Sequence, residues 1–462
     1  MLFTTQSFLL GFLPATLLLF HLCAGHRMAR QLVLVGASLL FYGFWNWRFV
    51  PALVALTLLN WGLGRAWAAS GRRIWPIGGI VINLLTLGFF KYANFFADSM
   101  AHLAGWRHLA WAITLPLGIS FFTFQKIAYH ADLLRGARPV RSALDFLEFV
   151  TFFPQLIAGP IVRHHEIVPQ FDTDPHGPDL WENLSRGAML LLLGLAKKVG
   201  LADTLAQTCN PLFDQAAHGA ALNLAQGWVA ALSYTLEIFF DFSGYSDMAI
   251  GMALLFGLRL PFNFDVPYRA TSIRQFWQRW HMTLSRFLRD YLYIPLGGNR
   301  HGAVRQSANL FATMALGGLW HGAGWTFVAW GVLHGLALSV NHAWTRLASR
   351  LALRLPAVAA WALTMLFVIV GWVLFRAPDF PTAGRVLRAM AGLQGVGRAW
   401  PRDAAVFWIA LGVALIGPSS QDAVLRMLRP TRLLAVPAGI AFVLLLLLIG
   451  GRIPDAFIYF QF

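Results

Sequence analysis

The sequence predicts an all-α, polytopic integral membrane protein, with roughly ten or more transmembrane helices and with re-entrant and interfacial helices around a central tunnel. Three observations predict it. Of 462 residues, 58% are hydrophobic and only 12% are charged, whereas a soluble domain carries about 25% charge. Apolar stretches near the ~20 residues needed to cross a bilayer recur along the whole chain. Arginines gather in alternate connections between them, the pattern left by positive-inside insertion. Without a low-complexity linker, internal repeat or soluble appendage, residues 1–462 read as one membrane domain.

The same composition excludes other classes. The net charge of +16 is scattered over short loops and does not line one face, so no nucleic-acid partner is expected. Cys23 and Cys209 stand far apart without CxxC spacing, which indicates neither a disulfide framework nor a zinc site, and no metal is expected. No GxSxG elbow, HExxH, P-loop or GxGxxG element sits beside a suitable strand, so covalent serine catalysis and nucleotide hydrolysis lose support.

In chain order, helices are expected over residues 3–22, 32–47, 51–68, 77–96 and 111–130. The first lacks a positively charged leader and reads as a retained helix, not a cleaved signal. With the N-terminus outside, Arg27 and Arg30, then Arg65, Arg72 and Arg73, then Arg135, Arg138 and Arg141 become cytoplasmic. Between 142 and 187, Pro154, Gly159, Pro160 and Pro169 cut the apolar sequence into pieces too short to span. Broken backbone at membrane depth is tolerated only inside protein or along a water-filled cavity, so this stretch is expected to wall the tunnel. His164 and His165, beside Arg163 and Glu166, read as surface residues.

A helix over 188–206 carries Lys197 and Lys198, expected to snorkel to headgroups or to meet a cofactor phosphate. The one over 227–256 carries Asp241 and Asp247, which either support a histidine from behind or bond helix to helix. Spans near 357–375, 405–416 and 434–450 complete the bundle. The basic connection 376–402 and the tail 452–462 come out external.

Chemistry concentrates in two stretches. In residues 272–300, SIRQFWQRWHMTLSRFLRDYLYIPLGGNR, His281 shares a helical stripe with Trp277, Trp280, Leu284 and Leu288. That spacing predicts one amphipathic helix at the membrane boundary. In residues 315–335, ALGGLWHGAGWTFVAWGVLHG, His321 is flanked by Gly317, Gly318, Gly322 and Gly324 and bracketed by Trp320 and Trp325. Its place between basic connections predicts a hairpin over 306–344 with His321 near the deep end, and glycines there allow close backbone approach. An ionisable group at that depth costs on the order of a few kcal/mol on insertion scales. It marks either a functional cavity or a neutral imidazole bonded between helices. His334, in the second arm, reads as a structural hydrogen-bonding residue.

The strings RQFWQRWHMTLSRFLRDYLYIPLGGNR and GLWHG resemble those of the membrane-bound O-acyltransferase family, more narrowly its bacterial alginate O-acetyltransferase branch. FYGFWNW (41–47), YHADLLRG (129–136), FFPQLIAGPIVR (152–163), DFSGYSDMAIG (241–251) and FIYFQF (457–462) extend the resemblance nearly end to end. The resemblance implies that His321 is catalytic and His281 its partner. It implies acetyl-CoA as acyl-donor substrate with no permanently bound cofactor, a multi-pass bacterial inner-membrane location among membrane lipids, and an exported, alginate-like polysaccharide as acceptor. The partners it implies are a periplasmic SGNH-type acetyltransferase or esterase and polysaccharide export machinery.

FIYFQF is also similar to the terminal motif of small partner peptides of D-alanine-transferring systems, which implies Tyr459 as an acyl relay. By composition alone it reads as an interfacial aromatic anchor. Arg289, Arg300 and Arg305 are candidates for coenzyme A phosphates, or simply positive-inside residues, and the cofactor-binding residues stay unassigned. A thioester donor suits such a site, because a histidine of unperturbed pKa near 6.5 has only to deprotonate a hydroxyl. Both substrates must reach it, so the reading requires a passage open to both compartments. D-alanyl transfer to teichoic acid, lipid acylation and solute transport are the alternatives.

Overall fold

The computed structural model describes residues 2–106, 110–429, 431–451 and 457–458. These residues are helical throughout, joined by turns and loops, and include no strand. Among the described residues, five stretches are long and apolar enough to cross a membrane: Arg27–Ser70, Ile74–Leu103, Leu224–Leu255, Ala357–Arg376 and Arg432–Gly450. Ser7–Leu22 and Ala404–Ile416 are shorter apolar helices. Hydropathy marks two different environments among them. Arg432–Gly450 turns Leu433, Leu444 and Leu447 outward, as a lipid-facing helix does, whereas the apolar part of Leu224–Leu255 is buried within the protein.

The chain forms two compact units, each discontinuous in sequence. The first comprises Met1–Leu193, Tyr245–Pro261 and Arg429–Ala456. Inside it the Ile119–Leu134 helix is buried on nearly every side, with Lys126 and His130 at 0% exposure. His130 Nε2 lies 2.9 Å from Asn60 Oδ1, which also accepts from Asn83 Nδ2 at 2.5 Å. Gly64 and Gly79 make room for that helix, since a Cβ on either would lie 2.2 Å from Tyr129 Oη or His130 Nε2. The helix expected over 111–130 begins only at Ile119, because Pro116 and the left-handed Gly118, φ 72°, hold the preceding residues out of helical conformation.

The stretch expected to be broken is broken, into Ala143–Thr151, Phe153–Leu156 and His164–Ile167. Phe146, Phe149, Phe152, Phe153 and Ala158 are at 0% exposure, so this irregular backbone is enclosed in protein. His164 departs from expectation: it is buried, its ring meeting Tyr129 edge to face at 5.0 Å, while His165 is exposed as expected. Successive residues of a helical turn point about 100° apart, so one polar doublet need not share one environment.

The second unit comprises Gly194–Gly244, Phe262–Leu428 and Phe457–Phe462. A π-helical turn, Ala196–Ala202, leads into the Asp203–Ala217 helix. Lys198 does not snorkel. It is 4% exposed and bridges two carboxylates, Asp203 at 2.7 Å and Asp241 at closer range. Pairing satisfies at short range a charge that would otherwise have to reach water.

Gly302–His321 and Trp325–Leu351 form the expected hairpin, joined through extended Gly322 and Gly324. The two helices touch backbone to backbone. A Cβ on Gly318 would lie 2.3 Å from the Phe327 carbonyl oxygen, and one on Gly331 would lie 2.2 Å from that of Met314. His321 is the last residue of the first arm, at the apex. Ala357–Arg376 packs beside the second arm, Trp372 stacking on Trp330 at 5.8 Å and meeting Trp280 at 4.8 Å.

Candidate active site

The continuous amphipathic helix expected through His281 is instead two short helices, Ile273–Arg279 and Met282–Leu288. Ser272 starts the first, its Oγ accepting from Gln275 N–H at 3.1 Å. His281 sits at the break in the left-handed region, φ 42° and ψ 53°. That conformation costs a residue with a side chain roughly 1–2 kcal/mol, so neighbouring contacts must enforce it. They come from residues 263–265. Met282 N–H donates to the Asn263 carbonyl at 2.9 Å, and Asp265 N–H donates to the Arg279 carbonyl at 3.0 Å. Nor does the segment lie at a lipid boundary: Phe276, Trp280 and His281 are at most 1% exposed.

Asn263 also fixes the chemistry of the ring. Its side-chain oxygen accepts the Thr283 hydroxyl at 2.6 Å and the Thr283 backbone N–H at 3.4 Å, and lies 3.3 Å from His281 Nδ1. A backbone N–H can only donate, which identifies the amide atom as oxygen and makes Nδ1 the protonated nitrogen of His281. Nε2 of the neutral imidazole is therefore the basic nitrogen. Phe242 meets the ring edge to face at 4.6 Å.

His321 comes to this ring from the apex of the glycine hairpin, with 6.5 Å between the imidazole centroids. At that separation the two rings cannot hydrogen-bond directly, and a single group placed between them can contact both. Trp320, Trp330 and Phe375 pack around His321 with centroids at 4.9, 5.2 and 5.2 Å. The ring is 3% exposed. In place of the open passage required by the sequence reading, the structure has packing closed over the imidazole.

His334 behaves as expected of a structural residue, accepting from the Trp277 indole N–H at 3.1 Å. Asp241 does not support a histidine; Lys198 and the backbone N–H of Ile458 occupy it. Asp247 is buried in the first unit, whereas both motif histidines are in the second. Tyr459 lies outside the described residues. Arg289, Arg300 and Arg305 are exposed. Asp132, His164 and His165 of the first unit place one potential metal ligand atom each within 4.8 Å of one another, a grouping the sequence reading did not anticipate. Asn263 was missed as well. Its only signal is a lone amide between Phe262 and Phe264 in a proline-bounded loop.

This helical membrane protein, in which two buried imidazoles converge at a hairpin apex, is by the family model it matches a multi-pass membrane O-acyltransferase. The chain belongs to the membrane-bound O-acyltransferase family, whose model matches residues 75–377. It is 40% identical over 428 residues to a peptidoglycan O-acetyltransferase of Helicobacter pylori, covering 86% of this chain and 81% of that one. It is 42% identical over 402 residues to a probable alginate O-acetylase of Pseudomonas aeruginosa, covering 84% and 75%. A teichoic acid D-alanyltransferase of Streptococcus thermophilus is 33% identical over 239 residues, covering 50% and 57%.

Proposed function

We propose that this protein is an inner-membrane O-acetyltransferase that draws acetyl from cytoplasmic acetyl-CoA and passes it outward for O-acetylation of an exported, alginate-like polysaccharide. The observation that carries the reading is the convergence of His281 and His321 at 6.5 Å in a water-poor setting. His321 acts as general base on the attacking hydroxyl. The hydroxyl oxygen bonds to the acetyl carbon, the carbon–sulfur bond breaks, and the proton taken by His321 passes to the departing thiolate of coenzyme A. His281, its tautomer set by Asn263, orients the group between the rings and, when protonated, steadies the oxyanion. General-base help contributes roughly 10²–10⁴ in rate, and alignment in the closed site adds to it. The aromatic packing over His321 parts to admit substrate.

Tyr459 is the proposed first acceptor, carrying acetyl as a phenolic ester to a periplasmic SGNH-type acetyltransferase or esterase working beside the polysaccharide export machinery. The acetylating relatives, similar over most of the chain, support the acetyl donor over D-alanine. The similarity to the Helicobacter pylori protein supports a second acceptor, cell-wall peptidoglycan.

Labelled acetyl-CoA supplied to sealed inverted membrane vesicles tests the reading. Transfer of label to protein or glycan is expected and should fall at least ~100-fold in His321→Ala at matched protein level. Undiminished transfer by that variant overturns it. Label in lipid identifies a lipid acyltransferase, and solute movement without covalent product identifies a transporter.

A further inference from the structure

Asp241 is 2% exposed and divides its two oxygens between different partners. Oδ1 meets Lys198, and Oδ2 accepts the backbone N–H of Ile458 at 3.0 Å. Lys198 is shared with Asp203, so one ammonium bridges two carboxylates. A buried carboxylate gains from each further hydrogen-bond donor, and the Ile458 backbone supplies one. Phe457 and Ile458 are 2% and 4% exposed, so the segment is seated in the second unit. The Phe457 ring lies 5.7 Å from that of Phe242, whose edge contact with His281 was described above. The anchored backbone is thus one aromatic ring removed from His281, and Tyr459 is the next residue in the sequence.

We propose that Lys198, Asp203 and Asp241 form a clamp for the backbone at Phe457 and Ile458, with Asp241 a positioning residue that acts on acyl transfer through the backbone at Ile458. The clamp rests on the reading of Tyr459 as relay only for its effect on turnover; as a docking site it stands apart from that reading. It differs from an ordinary buried ion pair in that the second Asp241 oxygen is spent on a main-chain group and not a side chain, 217 residues away.

Asp241→Ala is the obvious variant, but it strands Lys198 and endangers folding. Ile458→Pro removes the N–H donor without touching the ion pairs, and Ile458→Val keeps the donor. Chymotryptic trimming after Tyr459 and Phe460 in native membranes, followed by mass spectrometry, reads the docking directly. It is expected to be roughly tenfold or more faster in Ile458→Pro than in wild type, the factor for losing a hydrogen bond to a charged acceptor. Ile458→Val should match wild type. Equal trimming of the proline and valine variants overturns the clamp.

The same membranes then report turnover. Ile458→Pro should lower kcat for acetyl transfer and leave KM for acetyl-CoA within about twofold, because the donor site is untouched. Faster trimming with unchanged kcat upholds the docking site and overturns its part in catalysis. A fully active Tyr459→Phe protein sinks the relay without altering the trimming result, so the two ideas fail separately.

Discussion

Gly318→Ala tests whether the backbone contact under the hairpin sets the position of His321. The added Cβ would lie 2.3 Å from the Phe327 carbonyl oxygen, 3.0 Å from Gly331 Cα and 3.1 Å from Gly331 N, where ordinary contact is 3.4–4 Å. All three neighbours are main-chain atoms, so no side-chain rotation relieves the clash. The arms must part by about 1 Å, three residues from the imidazole, and a misplacement of that size costs on the order of 10²-fold in rate. Overpacking itself costs typically 1–3 kcal/mol of stability. Initial rates with labelled acetyl-CoA in inverted vesicles, at matched protein level, should therefore fall about 100-fold. Thermal unfolding in detergent should shift down. Gly412→Ala is the control: nothing lies within 4 Å of its added Cβ, and alanine is favoured over glycine in a helix by up to about 1 kcal/mol. Wild-type rate and unfolding temperature in Gly318→Ala would refute the reasoning.

Two further predictions concern polar groups around the pair. Asn263→Ala deprives the Thr283 donors and His281 Nδ1–H of their shared acceptor; it should cost about 1–3 kcal/mol per stranded buried group and lower kcat at least tenfold. Asn263→Asp, which keeps an acceptor oxygen, should retain more activity in the same vesicle assay. His334→Leu removes the acceptor of the Trp277 indole, so unfolding experiments should show a loss of about 1–3 kcal/mol. Its kcat should stay well above that of His321→Ala.

Much of this was legible in the sequence, for physical reasons that differ from residue to residue. Hydropathy exposed the helical membrane class because every backbone group in lipid needs an internal partner. The hairpin could be read around GLWHG because an apolar run between two basic connections must turn back within the membrane, and its glycines allow the close backbone approach found there. His334 followed from the same logic of satisfying a buried group. Periodicity failed at His281, since a 3.6-residue pattern presumes an unbroken helix and carries no sign of a left-handed residue held by a loop almost twenty positions earlier. Asp241 was read as supporting a histidine or bonding helix to helix, and Lys198 as reaching a headgroup or a cofactor phosphate. They pair with one another, Lys198 also with Asp203 and Asp241 also with the Ile458 backbone, and the contacts of Asp241 cross sequence distance that local pattern does not encode.

The bond from Ile458 to Asp241 closes a span of 217 residues. The glycine hairpin, by contrast, joins neighbours in sequence and needs little of the chain to be present. During synthesis its apex can form before residue 458 is made, while Asp241 waits for a donor 217 residues further along. A copy that stops short of residue 458 would carry both imidazoles into the bilayer yet lack that contact.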